Sequence, residues 1–592
     1  MTTQTDRPHG FTRRPEPRSL GSALRGQAIT EDGLSLTGGN LGADPFASDA
    51  QDGASDDLLA ELHGFGWLDD LAAAGHVRAR DCAQQWVLSW IAAHPLPVTA
   101  AAEDAAASPA GDSATGPLPP ASGVEAGQQV TAAVPIPGGD GPVWAADIAG
   151  RRLVRWIFHA GMILPGLDRA AAQPVFDAMH AHLGWLARAD AAPGQPRIEA
   201  QAGRAIAAMV LRGAAGHVAP ALAALAGSAG DDLDCAVLRG RCPEAALNCL
   251  SMLGWVKAVA ADSGHDLPAP VTQAIERIAP VLRALRHADG GLPRFHGGGR
   301  GAPGRLDHSL RAADGPAVTA PGHPMGFARL ARARATVILD AAPPAAGPAA
   351  SHAHASTLGL EFTAARHPVV VNCGSGRLFG PAWARASRAT ACHSTLCLSG
   401  LSSAKLLPPD ARGQERLTLL PQRVWAGECD AEGNLLPPDA PPAPLRQPAT
   451  ILAGHDGWDG THGLTHLREL YLSADGDELR GEDTLAALDI AAQGRLEQVL
   501  ANAPDGIGFD IRFHLHPEVE PVPEGDLVRL ILPGGEEWVF SHDLVAALRI
   551  EPSAWLETGL AAPQPTTQIV LAHRLDAQAV QIGWTFMRAD AS

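Results

Sequence analysis

Apolar positions recur at threes and fours through the first half of the chain and at twos through the second. Leu58, Leu59, Leu62, Phe65, Leu68 and Leu71 form the first helical stripe. Helices are predicted in turn over 77–93, 145–162, 167–187, 198–225 and 243–263. Val271, Ile275, Ile278, Leu282 and Leu285 make a further stripe. Pro243 and Pro268 stand where a first-turn proline is tolerated, because that N–H has no partner inside the helix. Beyond about residue 330 the period becomes two. Phe509, Ile511, Phe513 and Leu515 alternate with Asp510, Arg512 and His514, and 366–373, 394–398, 527–532, 537–540, 568–571 and 581–586 also read as strands. Turns such as Asp475-Gly476 punctuate them, which implies an antiparallel β-sandwich. Helices first and strands second, without alternation, predict an α+β chain in two segregated domains. The helical domain is placed at 51–325 and the sandwich at 326–592.

Three stretches fall outside this pattern. Residues 1–50 have few large apolar side chains and read as a poorly ordered lead-in. Residues 95–142, rich in Ala, Pro, Gly, Ser and Thr, read as a low-complexity insertion in the helical domain. A Pro-rich loop over 406–448 is expected on the edge of the sandwich.

Composition removes several function classes. The net charge is −19, from 64 acidic and 45 basic residues, which argues against a general nucleic-acid binder needing a basic footprint. No apolar run is long enough to predict a membrane span. Residues 1–26 lack the apolar core of a signal peptide, so a cytoplasmic location is expected. The 8 cysteines show no CxxC pairing and read as reduced thiols. There is 1 tyrosine, Tyr471.

The densest candidate chemistry opens the β region. On a strand, His352 and His354 would share a face, and lateral pairing could bring Asn372 and His393 to His354. Imidazoles with an oxygen ligand suit Zn²⁺ or another divalent ion. A pair of loop histidines, or a histidine general base, are the other readings. Arg239 and Arg241, with Asn248 on the following helix, could hold a carboxylate or sulfate, or be solvated loop charges. The glycine-rich stretch 289–300 carries Arg294 and His296, which could face a cleft; a plain interdomain connector is favoured. It is no phosphate loop, since no GK[ST] follows. His514 and His516 are expected on the outer face of a strand. Trp67, Trp86, Trp90, Trp156, Trp185 and Trp255 could stack on sugars, but core packing is preferred. No G-x-S-x-G, H-E-x-x-H or Rossmann fingerprint is present, and no organic cofactor is implied.

The runs HAHASTLGLEF (352–362), VVVNCGSG (369–376) and RASRATACHSTLCLSG (385–400) resemble the heparinase II/III C-terminal domain. Residues 454–485 and IRFHLHPEV (511–519) are similar to the same family, in particular to an alphaproteobacterial group within it. The likeness covers about residues 150–590. It implies an N-terminal incomplete (α/α) toroid and a two-sheet sandwich. It also implies a polysaccharide lyase-like protein that cleaves an acidic, uronic-acid glycan by β-elimination. That reaction needs a group to neutralise the C6 carboxylate, a base for the C5 proton and an acid for the leaving oxygen.

By position, His354 and His393 match the family's metal-binding histidines, Asn372 stands where an aspartate ligand is common, and His352 matches a histidine lining the cleft. The expected assignment is therefore His352 and His296 for proton transfer, Arg241 and Asn248 for the acidic sugar, and His354, Asn372 and His393 for Zn²⁺ or another divalent metal. Two departures weigh against it. The family's catalytic tyrosine belongs to the helical domain, where this chain has no tyrosine; Phe295, His296 and Phe327 occupy the general neighbourhood. The first toroid motif is replaced by LRGRCP (238–243). The alternative is a non-catalytic glycan-binding or envelope-assembly protein on the lyase scaffold. A hydrolase or esterase has no positive signal. The resemblance makes the periplasm or envelope the alternative location.

Overall fold

The computed structural model describes residues 10–46, 51, 54–95, 142–410, 415–430, 434–437, 444 and 446–589. The helical domain follows α1 (Ala23–Asp32) and a hairpin of β1 (Ser35–Leu36) with β2 (Gly39–Asn40). It contains α2 (Asp56–His63), α3 (Trp67–Ala74), α4 (Val77–Ala93), α5 (Ala146–Phe158), α6 (Ala160–Ile163), α7 (Arg169–Leu186), α8 (Gln195–Val210), α9 (Val218–Asp232), α10 (Pro243–Ser263), α11 (Ala269–Ala284) and α12 (Arg305–Ala312).

The predicted stripe at 58–71 divides into α2 and α3, because Phe65 turns the chain with φ 58 and drives its ring into the core. The predicted helix at 198–225 likewise divides, at Gly213 (φ 86), into α8 and α9. Helix α8 packs against α5, α9 and α10. It approaches α5 so closely that a Cβ on Gly203 would lie 2.5 Å from the Gly150 carbonyl oxygen. The tryptophans fill the core as preferred: Trp67, Trp86, Trp90, Trp156, Trp185 and Trp255 are all buried. Truncating Trp156, fully enclosed by Phe65, Trp90 and His182, would cost about 3–5 kcal/mol.

The lead-in expectation needs correction over residues 10–46, which form an ordered strap. Thr12 N–H donates to Val210 O at 2.8 Å, and Ile29, Leu34, Leu36, Leu41 and Phe46 are buried. The apolar content is low because the strap lies on a finished core and is held largely through its backbone. The low-complexity stretch 96–141 lies outside the described residues.

The β domain begins with β3 (Phe327–Arg332), β4 (Ala335–Asp340), β5 (Leu360–Ala364), β6 (His367–Val371) and β7 (Leu396–Leu398). Then come β8 (Lys405–Leu406), β9 (Leu417–Thr418), β10 (Val424–Glu428), β11 (Ala449–Trp458), β12 (Leu464–Leu472), β13 (Glu478–Ala486) and β14 (Ile507–Leu515). The last strands are β15 (Glu520–Glu524), β16 (Leu527–Ile531), β17 (Glu537–His542), β18 (Ala547–Trp555), β19 (Gln564–Leu575) and β20 (Ala579–Arg588).

One sheet runs β18-β19-β14-β6-β5-β4-β3, and the other β10-β11-β12-β13-β20-β17-β16-β15. Every pairing between them is antiparallel, and Phe362, Phe513, Trp538, Phe540, Trp584 and Phe586 fill the space between the sheets. The alternation at 509–515 lands in β14, with Phe509, Ile511, Phe513 and Leu515 inward. The Pro-rich loop supplies the edge strand β10. The two segregated domains of the predicted α+β class are thus present. Among the described residues no helix is long and apolar enough to cross a membrane.

Strand β14 forks. It pairs with β7 at Phe509–Ile511 and with β6 only at His514 and Leu515. Residues 372–395 fill the gap between these two partners, and this is how Asn372, Cys373 and His393 come to lie beside residues 352–356.

Candidate functional site

The site sits where the helical domain meets the end of β4. Asp340 is fully buried there. Its Oδ1 pairs with Arg241, its Oδ2 accepts from Ser356 Oγ at 2.6 Å, and the same Oδ2 faces His296 Nε2 at 3.3 Å. Burial alone would raise its pKa, but the Arg241 and His296 charges outweigh it and hold the carboxyl well below the usual range.

Arg241 cannot play its expected part. It takes φ 58 just before α10 and points into the protein rather than into a cleft. Its Nε donates to Met325 O at 2.9 Å, and Nη1 to Ala342 O at 2.9 Å and Pro343 O at 2.7 Å. Nη2 donates to Gly326 O at 3.1 Å and to Asp340. The guanidinium thus clamps one domain to the other and has no donor left for an acidic sugar.

His296 is equally removed from any substrate. The side chain is 0% exposed, and Nδ1 accepts the His354 backbone N–H at 3.2 Å. Burial pushes its imidazole below the usual value. Phe295 and Phe327, 5.1 Å apart and both fully buried, wall it in.

His352 and His354 do not share a face, because 352–356 is a pinned loop rather than a strand. Arg388 holds it through the Ala350 and Ala353 carbonyls at 2.7 and 2.8 Å, and Thr390 Oγ1 holds the Ala355 carbonyl at 2.7 Å. With its carbonyls taken this way the segment has no ladder to join. His354 is buried and His352 exposed. Surrounding protein, with the positive charges of Arg377 and Arg388, pushes the His352 imidazole below its usual value.

The fork does bring His354 to His393: Nδ1 and Nε2 lie 3.2 Å apart. His393 Nδ1 faces Ala389 O at 2.9 Å, so that nitrogen carries the proton, and burial pulls the imidazole down to about 4. Asn372 is a strut and not a third ligand. Its Nδ2 donates to Glu361 Oε1 at 3.1 Å, and its Oδ1 accepts the Ser394 N–H at 3.0 Å. Glu361, which also accepts the Arg294 N–H at 3.2 Å, fixes that orientation. An aspartate at 372 would oppose a buried carboxylate. The donors present therefore do not fit a three-ligand zinc centre, and no group of three or more His, Cys, Asp or Glu among the described residues could hold a metal ion.

Other expected positions resolve as follows. Asn248 is half-buried on α10, and its Oδ1 has no hydrogen-bond partner among the described residues. Arg239 is exposed. Arg294 joins the connector to the sandwich: it donates to Cys373 O at 2.8 Å and Leu556 O at 3.1 Å, and stacks 3.4 Å over Trp555. His514 lies on the face of β14 opposite Phe513 and Leu515, as expected, but is buried there under residues 391–394 and Ser553, while His516 is half-buried against Trp555. Tyr471 stands on the face of β12 opposite buried Leu470 and Leu472, stacked at 4.1 Å under Arg480.

Two polar networks had no clear signal in the spacing. Asp69 on α3 accepts from Ser19 Oγ at 2.6 Å and His159 Nε2 at 2.7 Å, and pairs with Arg155 at 3.3 Å. Asp70 accepts the Ser22 N–H at 2.8 Å, so the strap is fastened to the same helix. The one hint was an acidic pair inside an apolar stripe. In the sandwich, Asp483 accepts from Arg468, His466 Nε2 (2.6 Å) and Trp584 Nε1 (2.8 Å). Arg468 then reaches the Leu358 and Ser394 carbonyls at 2.8 and 3.0 Å, supporting both site loops from beneath.

The strap ends at the domain boundary. Gly559 N–H donates to Thr37 Oγ1 at 2.7 Å, and Gly38 N–H to Leu560 O at 3.1 Å. Gly38 has φ 82, and a Cβ there would lie 1.8 Å from the Leu378 carbonyl oxygen. The hairpin therefore bridges the helical rim and the sandwich rim beside Arg377, which pairs with Asp57 at 3.3 Å.

The chain is similar to known proteins. A family model described as heparinase II/III-like, C-terminal, matches residues 315–585. FtsZ-localized protein C of Caulobacter vibrioides is 28% identical, over 99% of this chain and 91% of its own length. The crystal structure of heparinase III matches with a TM-score of 0.60 at 11% identity, over 97% of this chain and 86% of that one. A heparan sulfate lyase HepC mutant from Pedobacter heparinus matches at 0.52 and 11% identity, over 91% of this chain and 78% of that one. At these identities the structural likeness is one of fold. Residues 315–585 are thus similar to a heparinase II/III-like C-terminal domain, and the chain has the two-domain α+β frame of the heparinase III fold.

Proposed function

We propose that this chain is a non-catalytic binding or assembly protein on a lyase scaffold, and that it works where FtsZ assembles. The observation that carries the first half is Arg241, the expected carboxylate binder, with its guanidinium donors engaged inside the protein. His296 buried at 0% exposure and the phenylalanine pair beside it support the same reading. β-Elimination needs a proton acceptor and donor at the sugar, and phenylalanine supplies neither.

The second half rests on the full-length likeness to a protein named for its localisation with FtsZ. A cytoplasmic location goes with it. Exposed His352 and Arg377 leave room for an acidic sugar to be held without being cut. The test images the fluorescently tagged full chain with FtsZ in dividing cells and sediments the purified protein with FtsZ polymers. Overlap with the FtsZ ring and co-sedimentation are expected. A uniform cellular distribution with no co-sedimentation would overturn the division-site reading.

A further inference from the structure

The gap at the β14 fork also holds two cysteines that the preceding account leaves unused. Cys373 follows Asn372 and Cys392 precedes His393. Their backbones are neighbours, with the Cys373 N–H donating to Cys392 O at 3.0 Å. A backbone pairing of this kind places the two Cα atoms within the span a disulfide bridges.

Behind Cys373 stands an imidazole with a fixed tautomer. His514 Nε2 lies 3.0 Å from Ala391 O, an acceptor only, so Nε2 carries the proton and Nδ1 is left to accept. Nδ1 lies 2.7 Å from Ser553 Oγ and 3.6 Å from Cys373 Sγ, and Ser553 Oγ is 3.8 Å from the same sulfur. Cys373 is buried and Cys392 half-buried, so an oxidant from solvent meets Cys392 first.

We propose that Cys373 and Cys392 form an oxidisable dithiol, a modification site that closes the loop over residues 374–391 with a disulfide. The oxidant class is a peroxide. One hydrogen peroxide converts the Cys392 thiol to a sulfenic acid and releases one water. Cys373 passes its proton to His514 Nδ1, and its thiolate attacks the Cys392 sulfur. The S–S bond forms as the S–O bond breaks, and the leaving hydroxide takes the proton back from His514 as a second water. Two thiols lose two electrons and two protons in all, and one peroxide is reduced to two waters. The loop that is closed carries exposed Arg377 and Trp383, and also Arg388, which is buried against the Ala350 and Ala353 carbonyls, so oxidation fastens the rim beside His352.

The test treats the reduced full-length protein with hydrogen peroxide, alkylates the remaining thiols with iodoacetamide and maps tryptic peptides by mass spectrometry. The expected result is loss of alkylation at Cys373 and Cys392, with a linked peptide lighter by two hydrogens that dithiothreitol restores. Fragment ions must assign the link to Cys392 and not to Cys397 on the same peptide. Cys235, free and exposed, serves as the alkylation control. Cys392→Ser should abolish the link with the far-ultraviolet circular dichroism unchanged, and His514→Asn should slow it. Undiminished alkylation of both cysteines after peroxide, or linkage through other cysteines, would overturn the proposal.

Discussion

Arg241 and Asp340 close a buried ion pair across the boundary between the helical domain and the sandwich. Asp340 is fully buried, and the Arg241 donors not used on it are met by backbone carbonyls. A guanidinium suits this place because its planar fork serves several acceptors at once, which an ammonium cannot do.

Removing one partner strands the other without solvent. Arg241→Met should therefore destabilise the protein by about 3–5 kcal/mol, and Arg241→Lys should recover little of that loss. Urea unfolding followed by tryptophan fluorescence measures it. An unchanged midpoint for Arg241→Met would mean the clamp holds nothing.

Acid should weaken the fold from near neutrality downward. His393 and His63 are buried, with imidazoles pulled down to about 4 and about 3 from the ordinary 6.5. Above 6.5 both states are neutral and these residues contribute nothing. Below it the unfolded chain takes up protons that the native state refuses, at an upper bound of about 2 kcal/mol per histidine by pH 5. Asp340 and Asp483, held low in the native state, act in the same sense further down, since their contribution is lost as pH falls through the carboxylate range. Denaturant midpoints at pH 7, 6 and 5 should fall in that order, and a flat series would contradict the burial of these groups.

Asn372 should prove to be a strut. Asn372→Asp places a second carboxylate beside Glu361, 3.1 Å from the present amide nitrogen, so lower stability is expected with no gain of zinc. Chelator treatment of the native protein should leave the melting temperature unchanged. Stoichiometric zinc by elemental analysis, lost on His393→Ala, would restore the metal reading.

The strap should depend on Gly38. Gly38→Ala drives a methyl into the Leu378 carbonyl and strains a left-handed backbone. Limited proteolysis should then cut within residues 10–46 faster than in the native protein, while the helical and β domains persist. Equal rates would show that the hairpin is not held at the rim.

The domain split was legible because period three-to-four and period two are separate local signals, and 509–515 passed directly into β14. The pairing of His354 with His393 was legible too, although it rests on a loop at 352–356 pinned by Arg388 and not on a strand. Side-chain direction was not legible. Spacing cannot say that Arg241 turns inward at φ 58, or that the Asn372 oxygen faces Ser394 N–H, because partners 101 and 22 residues away decide both. The strap escaped for a related reason: its order comes from bonds to distant residues such as Val210 and Gly559 and not from a pattern of its own.

The most direct test of the non-catalytic reading incubates the purified full-length protein with a panel of uronic-acid polysaccharides and follows the ultraviolet absorbance of newly formed unsaturated uronate. The account predicts no increase over a protein-free control on any of them, even where binding is measurable. A steady rise that His352→Ala abolishes would contradict it and return the chain to the lyases.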